Sequence, residues 1–141
     1  MNSAMRFNKL LFNLLMVMVL ATPALALDVH VKVSSQKVDF GLEFGPEYLL
    51  DGDPTTAWAV GKASSGVGQW MEFSFPLPVQ VVKLGIFNGH QGEGQFEEYR
   101  RIRSGRIIYP DGQETKFWLR DEPGEQVILC PIRPIKSLKI V

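Results

Sequence analysis

The side chains with most chemistry to offer lie in two stretches. The first is Asp51-Gly52-Asp53-Pro54-Thr55-Thr56, leading into Ala57-Trp58. Alternate carboxylates around a glycine, followed by hydroxyls, can turn the chain back and offer oxygens to a hard cation such as calcium. The same spacing builds an Asx-type turn whose carboxylates accept from their own loop's N–H groups, and spacing alone favours that plainer reading. The further acidic ligands of an EF-hand do not follow, so that motif is rejected. Asp51, Asp53 and Thr56 stand as candidate calcium ligands.

The second stretch, residues 88–103, gathers Asn88, His90, Gln91, Gln95, Phe96, Glu97, Tyr99, Arg100, Arg101 and Arg103. Sugar recognition needs planar polar groups for hydroxyls and an aromatic face for the ring's C–H surface. Gly89, Gly92 and Gly94 predict a long, flexible, exposed loop, and loops of that kind carry function as often as they are plain solvated connections. Asn88, His90, Gln91, Tyr99 and Arg101 are therefore the expected ligand contacts, with Trp58 in support. Each has a plainer competitor. Trp58 after its turn fits a core plug, and Arg100, Arg101, Arg103 and Arg106 fit ion pairs with Glu93, Glu97 and Glu98.

Covalent or acid–base catalysis finds little support. The chain has no Gly-x-Ser-x-Gly elbow, no His-Glu-x-x-His, no phosphate loop and no cysteine pair. Nothing in the spacing desolvates Asp51 and Asp53 so as to split their acidities. The reading is a non-enzyme that requires no cofactor, with structural calcium the one cofactor the sequence leaves open.

These residues must be held by strands. Residues 28–34 alternate Val29, Val31 and Val33 against His30 and Lys32, and residues 69–75 alternate Met71, Phe73 and Phe75 against Trp70, Glu72 and Ser74. Pro76-Leu77-Pro78 predicts the end of the second strand. Residues 79–87 read as a strand buried on both faces. Asp111-Gly112 between two β runs is a hairpin signal. Residues 126–130 and 135–141 complete an all-β, jelly-roll-like sandwich of about seven to eight strands. Only residues 47–50, entered by Gly45-Pro46, suggest a helical turn.

Composition narrows the setting. The 141 residues carry 15 basic and 15 acidic side chains, a net charge of zero that excludes the electrostatic signature of a nucleic-acid binder. Residues 1–26 read as a signal peptide: Arg6 and Lys9 precede an apolar run at 10–21, and Ala24-Leu25-Ala26 offers a small-x-small cleavage site. That run is shorter than the ~20 residues needed to span a bilayer, although an uncleaved signal anchor is the competing reading. Cleavage removes two of the 15 basic residues, leaving 13 against 15 acidic in a domain of residues 27–141, a net charge of −2. The expectation is an exported bacterial protein, periplasmic or extracellular, without a transmembrane span once cleaved. Cys130, the only cysteine, sits among Val127, Ile128 and Leu129 and reads as a small buried hydrophobe.

At Leu49-Leu50-Asp51-Gly52-Asp53-Pro54-Thr55-Thr56-Ala57-Trp58, followed by Gly68-Gln69-Trp70-Met71-Glu72-Phe73, the chain resembles the discoidin-type, galactose-binding-like sandwiches. Asn88-Gly89-His90-Gln91, Arg101-Ile102-Arg103, Tyr109-Pro110-Asp111-Gly112 and Phe117-Trp118-Leu119-Arg120-Asp121 resemble one bacterial branch, the NADase-type glycan-binding domain. The resemblance implies a β-sandwich binding a glycan or another cell-envelope component through loops at one end, without chemistry. His90 stands where that branch has an aromatic, and Arg100 where it has Asn. The family usually continues past Val141 with a further strand and an acidic residue that helps hold calcium. Either that strand is dispensable, or residues 135–141 form an open edge suited to strand addition. The alternative function is a cell-envelope protein–protein interaction module that uses its loops or that open C-terminal edge.

Overall fold

The computed structural model describes residues 27–61 and 66–141, so the signal-peptide expectation lies outside the described residues. Among the described residues nine strands follow in order: β1 His30–Val33, β2 Lys37–Asp39, β3 Leu42–Phe44, β4 Met71–Gln80, β5 Lys83–Phe87, β6 Ser104–Ile108, β7 Glu114–Trp118, β8 Glu125–Leu129 and β9 Pro134–Ile140. A single 3₁₀ turn, Pro46–Leu49, opens on the expected Gly45-Pro46 pair. The all-β sandwich is as expected, with two three-residue strands, β2 and β3, added to it. No helix among the described residues is long and apolar enough to cross a membrane.

One layer is a five-stranded antiparallel sheet in the order β1-β4-β9-β6-β7. The other is the β5–β8 pair, and β2–β3 forms a separate ribbon. Alternation does what period-two patterning requires. Val31 and Val33 pair with Phe73 and Met71, while Ile107, Phe117, Leu138 and Ile140 turn inward with Tyr109, Leu119, Ile128 and Cys130 into one core. Leu84 and Ile86 of β5 pack onto that core from the opposite layer. Cys130 is buried among apolar groups, as its neighbours predict.

Three expectations need correction. β4 does not end at Pro76-Leu77-Pro78. It runs on to Gln80, with an irregularity in its register against β9 between Ser74 and Val79, where prolines can supply no ladder N–H. Residues 79–87 are not one doubly buried strand, because the chain breaks between Gln80 and Lys83 and alternate residues of β5 face solvent. Finally, residues 135–141 are no open edge. β9 bonds to β4 on one side and β6 on the other, at the centre of its sheet, and the edges are β1 and β7.

Candidate functional site

At one end of the sandwich three rings converge. His90 stacks on Tyr99 with centroids 5.8 Å apart and planes 23° from parallel. Phe44 lies 6.5 Å from Tyr99 at a tilt of 47°. The Lys37 ammonium stands 5.8 Å from both the Phe44 and Tyr99 centroids, and 2.8 Å from the Asp39 carboxylate. That hydrogen bond to Asp39 holds the Lys37 pKa above its ordinary value.

The β2–β3 ribbon delivers Phe44 and Lys37, which are directly paired in its register. Phe40 and Gly41 make its turn at φ +49° and +79°, the left-handed pair that a tight hairpin demands. The ribbon is anchored to the body by Lys37 N–H on the Ala59 carbonyl at 2.8 Å and Ala59 N–H on the Phe44 carbonyl at 3.2 Å. Sequence reasoning missed both residues. Strands of three residues are too short to show a period, and Phe-Gly is a weak hairpin signal beside Asn-Gly.

His90 and Tyr99 come from the glycine-rich loop, which is tied down rather than loose. Gln91 donates from its backbone to the Pro54 carbonyl at 3.0 Å, and its side-chain oxygen accepts from Gly124 N–H at 2.8 Å. Its amide nitrogen reaches the carbonyls of Asn88 and Gly89 at 3.2 and 3.3 Å. Gly89 turns the loop at φ +88°, where an added Cβ would meet Arg101 Cγ at 2.7 Å. His90 Nδ1 accepts from Gly92 N–H at 3.1 Å.

The expected contacts therefore divide. His90 and Tyr99 are brought together at the surface. Asn88 is only 2% exposed, and its amide grips one residue: Nδ2 donates to the Ile102 carbonyl at 2.7 Å, and Oδ1 accepts from Ile102 N–H at 2.8 Å. Arg101 spreads its guanidinium over the Phe96 ring, bonds the Phe96 and Tyr99 carbonyls, and pairs with Asp121. Asn88, Gln91 and Arg101 thus frame the site. Trp58 is the core plug: its indole N–H donates to the Ser35 carbonyl at 2.9 Å and its ring packs on the core. Of the arginines expected to pair with Glu93, Glu97 and Glu98, Arg101 pairs instead with Asp121 and Arg106 with Glu114.

In the acidic loop, Asp51 Oδ1 accepts from Asp53 N–H at 2.9 Å and Oδ2 from the Thr56 hydroxyl at 2.5 Å. Asp53 Oδ1 accepts from Thr55 N–H at 2.8 Å and the Thr55 hydroxyl at 2.6 Å. Those bonds, with a smaller contribution from His90, hold the Asp53 carboxyl below its ordinary acidity range. Calcium takes about six to eight oxygens, whereas Asp51 Oδ1, Asp51 Oδ2 and Asp53 Oδ1 already accept from the loop's own donors. No group of three or more His, Cys, Asp or Glu side chains among the described residues could hold a metal ion.

A two-layer antiparallel sandwich with an aromatic cluster on end loops is the architecture of discoidin-type domains. Residues 25–139 match the NAD glycohydrolase translocation F5/8 type C domain, and the chain belongs to that family. Solved structures agree on the fold. The family 32 carbohydrate-binding module of Clostridium perfringens NanJ, solved with galactose, superposes with a TM-score of 0.56 at 13% identity, over 79% of this chain and 80% of that one. A module of the same family from a Clostridium perfringens GH89 protein, solved with GalNAc-β-1,3-galactose, gives 0.57 at 13% identity, covering 79% and 81%. The mycobacterial arabinofuranosyltransferase AftD gives 0.61 at 18% identity over 79% of this chain, which spans only 9% of that enzyme. No curated protein sequence matches the chain.

Proposed function

We propose that the protein is an exported bacterial binding module that holds a glycan, without turning it over, against the His90–Tyr99–Phe44 cluster. The stacked His90–Tyr99 pair carries this reading: it offers a ring surface to sugar C–H groups from loops fixed by hydrogen bonds. Lys37 and Asp39 on the ribbon, and Asp53 beside His90, supply donors and acceptors for hydroxyls at its rim. The carbohydrate-binding modules that share the fold support the ligand class. A glycan array followed by calorimetry tests it. Tyr99→Ala and His90→Ala should each weaken the detected binding by roughly three- to tenfold. Unchanged affinity in both would overturn the site.

A cell-envelope protein contact is the second reading, moved from the C-terminal strand to the ribbon tip. Phe40 is 100% exposed there, with Val38 and Leu42 beside it at 61% and 65%. An envelope partner captured by the native chain and lost with Phe40→Asn would favour it.

A further inference from the structure

The β6–β7 ladder closes at Leu119 N–H on the Arg103 carbonyl, 3.0 Å. Beyond that bond the two segments part, and the Arg101–Asp121 ion pair bridges them again. Between them lies a cleft of about 480 Å³ lined by Arg101, Ile102, Arg103, Leu119 and Asp121. That volume falls within the roughly 300–1,000 Å³ of small-ligand sites.

Both walls are locked. Asn88 holds the N–H and carbonyl of Ile102, and Gln126 does the same for Arg120: its Oε1 accepts from Arg120 N–H at 2.7 Å and its Nε2 donates to the Arg120 carbonyl at 2.9 Å. Asn88 and Gln126 are the two buried polar residues among those described. Each replaces the ladder bonds its strand loses at the split, so the gap is a fixed feature of the fold.

The lining has a definite chemistry. Arg101 and Asp121 neutralise one another, leaving Arg103 as the uncompensated charge of the cleft. Among the described residues the Arg103 guanidinium has no hydrogen-bond or ion-pair partner. A guanidinium fork matches a planar carboxylate. Ile102 and Leu119 offer apolar surface to a sugar's C–H groups, and the Asp121 oxygens can accept from its hydroxyls. The Asp121 charge also penalises a doubly charged phosphate more than a singly charged carboxylate.

We propose that this cleft binds a carboxylate-bearing sugar, a uronic-acid unit, with Arg103 taking the carboxylate. The assignment rests on the cleft alone and is independent of the aromatic cluster.

The test is calorimetric titration of the full chain with galacturonate, galactose and inorganic phosphate, each against native protein, Arg103→Gln, Arg103→Lys and His90→Ala. Galacturonate should bind in preference to galactose and phosphate. Affinity should fall by about tenfold or more in Arg103→Gln, fall less in Arg103→Lys, and hold in His90→Ala. Arg103 is exposed, so an unchanged melting temperature will certify both arginine variants as folded. Four results would each overturn the proposal: no saturable galacturonate binding, equal binding by Arg103→Gln, phosphate binding more tightly than galacturonate, or loss of galacturonate binding in His90→Ala.

Discussion

Asn88 and Ile102 stand 14 positions apart and exchange two hydrogen bonds, the side-chain amide of one closing on both backbone groups of the other. The pair fixes where the glycine-rich loop leaves the sandwich and where it returns.

Asn88→Ala should therefore read as a stability variant. It orphans a part-buried N–H and carbonyl, each worth about 1–3 kcal/mol, so the melting temperature should drop by roughly 10 °C. Gln126→Ala, which frees both backbone groups of Arg120, should behave alike. Thermal unfolding by circular dichroism measures both, and a change under 2 °C, on the order of the noise of such scans, would contradict the clamp.

Phe40 occupies left-handed space at φ +49° with its side chain wholly in solvent. A bulky residue there costs about 1 kcal/mol or more, which asparagine largely avoids. Phe40→Asn should raise the melting temperature by a few degrees, since no packing is lost. A fall would mean that the ring holds the ribbon in some other way.

Three of the four carboxylate oxygens of Asp51 and Asp53 already accept from the acidic loop's own donors. Adding millimolar calcium should accordingly leave the melting temperature unchanged. A rise that disappears in Asp51→Asn would instead establish a bound ion.

Acid should weaken the fold through Asp121 and Asp53. Arg101 holds Asp121, and Thr55 holds Asp53, below the ordinary carboxyl value of 3.8. In that window the unfolded chain binds more protons, so stability rises with pH and is lost as pH falls through the depressed values. Melting temperature should be level above about pH 5 and decline below about pH 4, with a shallower decline in Asp121→Asn. An equally steep decline in that variant would remove Asp121 from the account.

Much of the sandwich is legible from local pattern. Val31 and Val33, Met71 and Phe73, and the Asp111-Gly112 turn read directly, because alternation and turn chemistry are local properties. Strand order is not local. Nothing within residues 135–141 says that they lie between β4 and β6, so a central strand reads as an edge. The same limit divides the site. Asn88, Gln91 and Arg101 carry the donors and acceptors a ligand contact needs, and the partners that occupy them (Ile102, Gly124 and Asp121) are distant in sequence. His90 and Tyr99 keep their ring faces together at the surface, while Phe44 and Lys37 arrive on a ribbon too short to announce itself.

The place of β9 also sets an order of events. Its four sheet partners precede it in the chain, yet β1–β4 and β6–β7 are joined only through it. A ribosome delivers residues from the N-terminus, so both halves must wait, apolar faces uncovered, until β9 emerges. Folding of this sheet therefore follows the emergence of β9, leaving an interval in which the nascent chain depends on whatever shields it from aggregation.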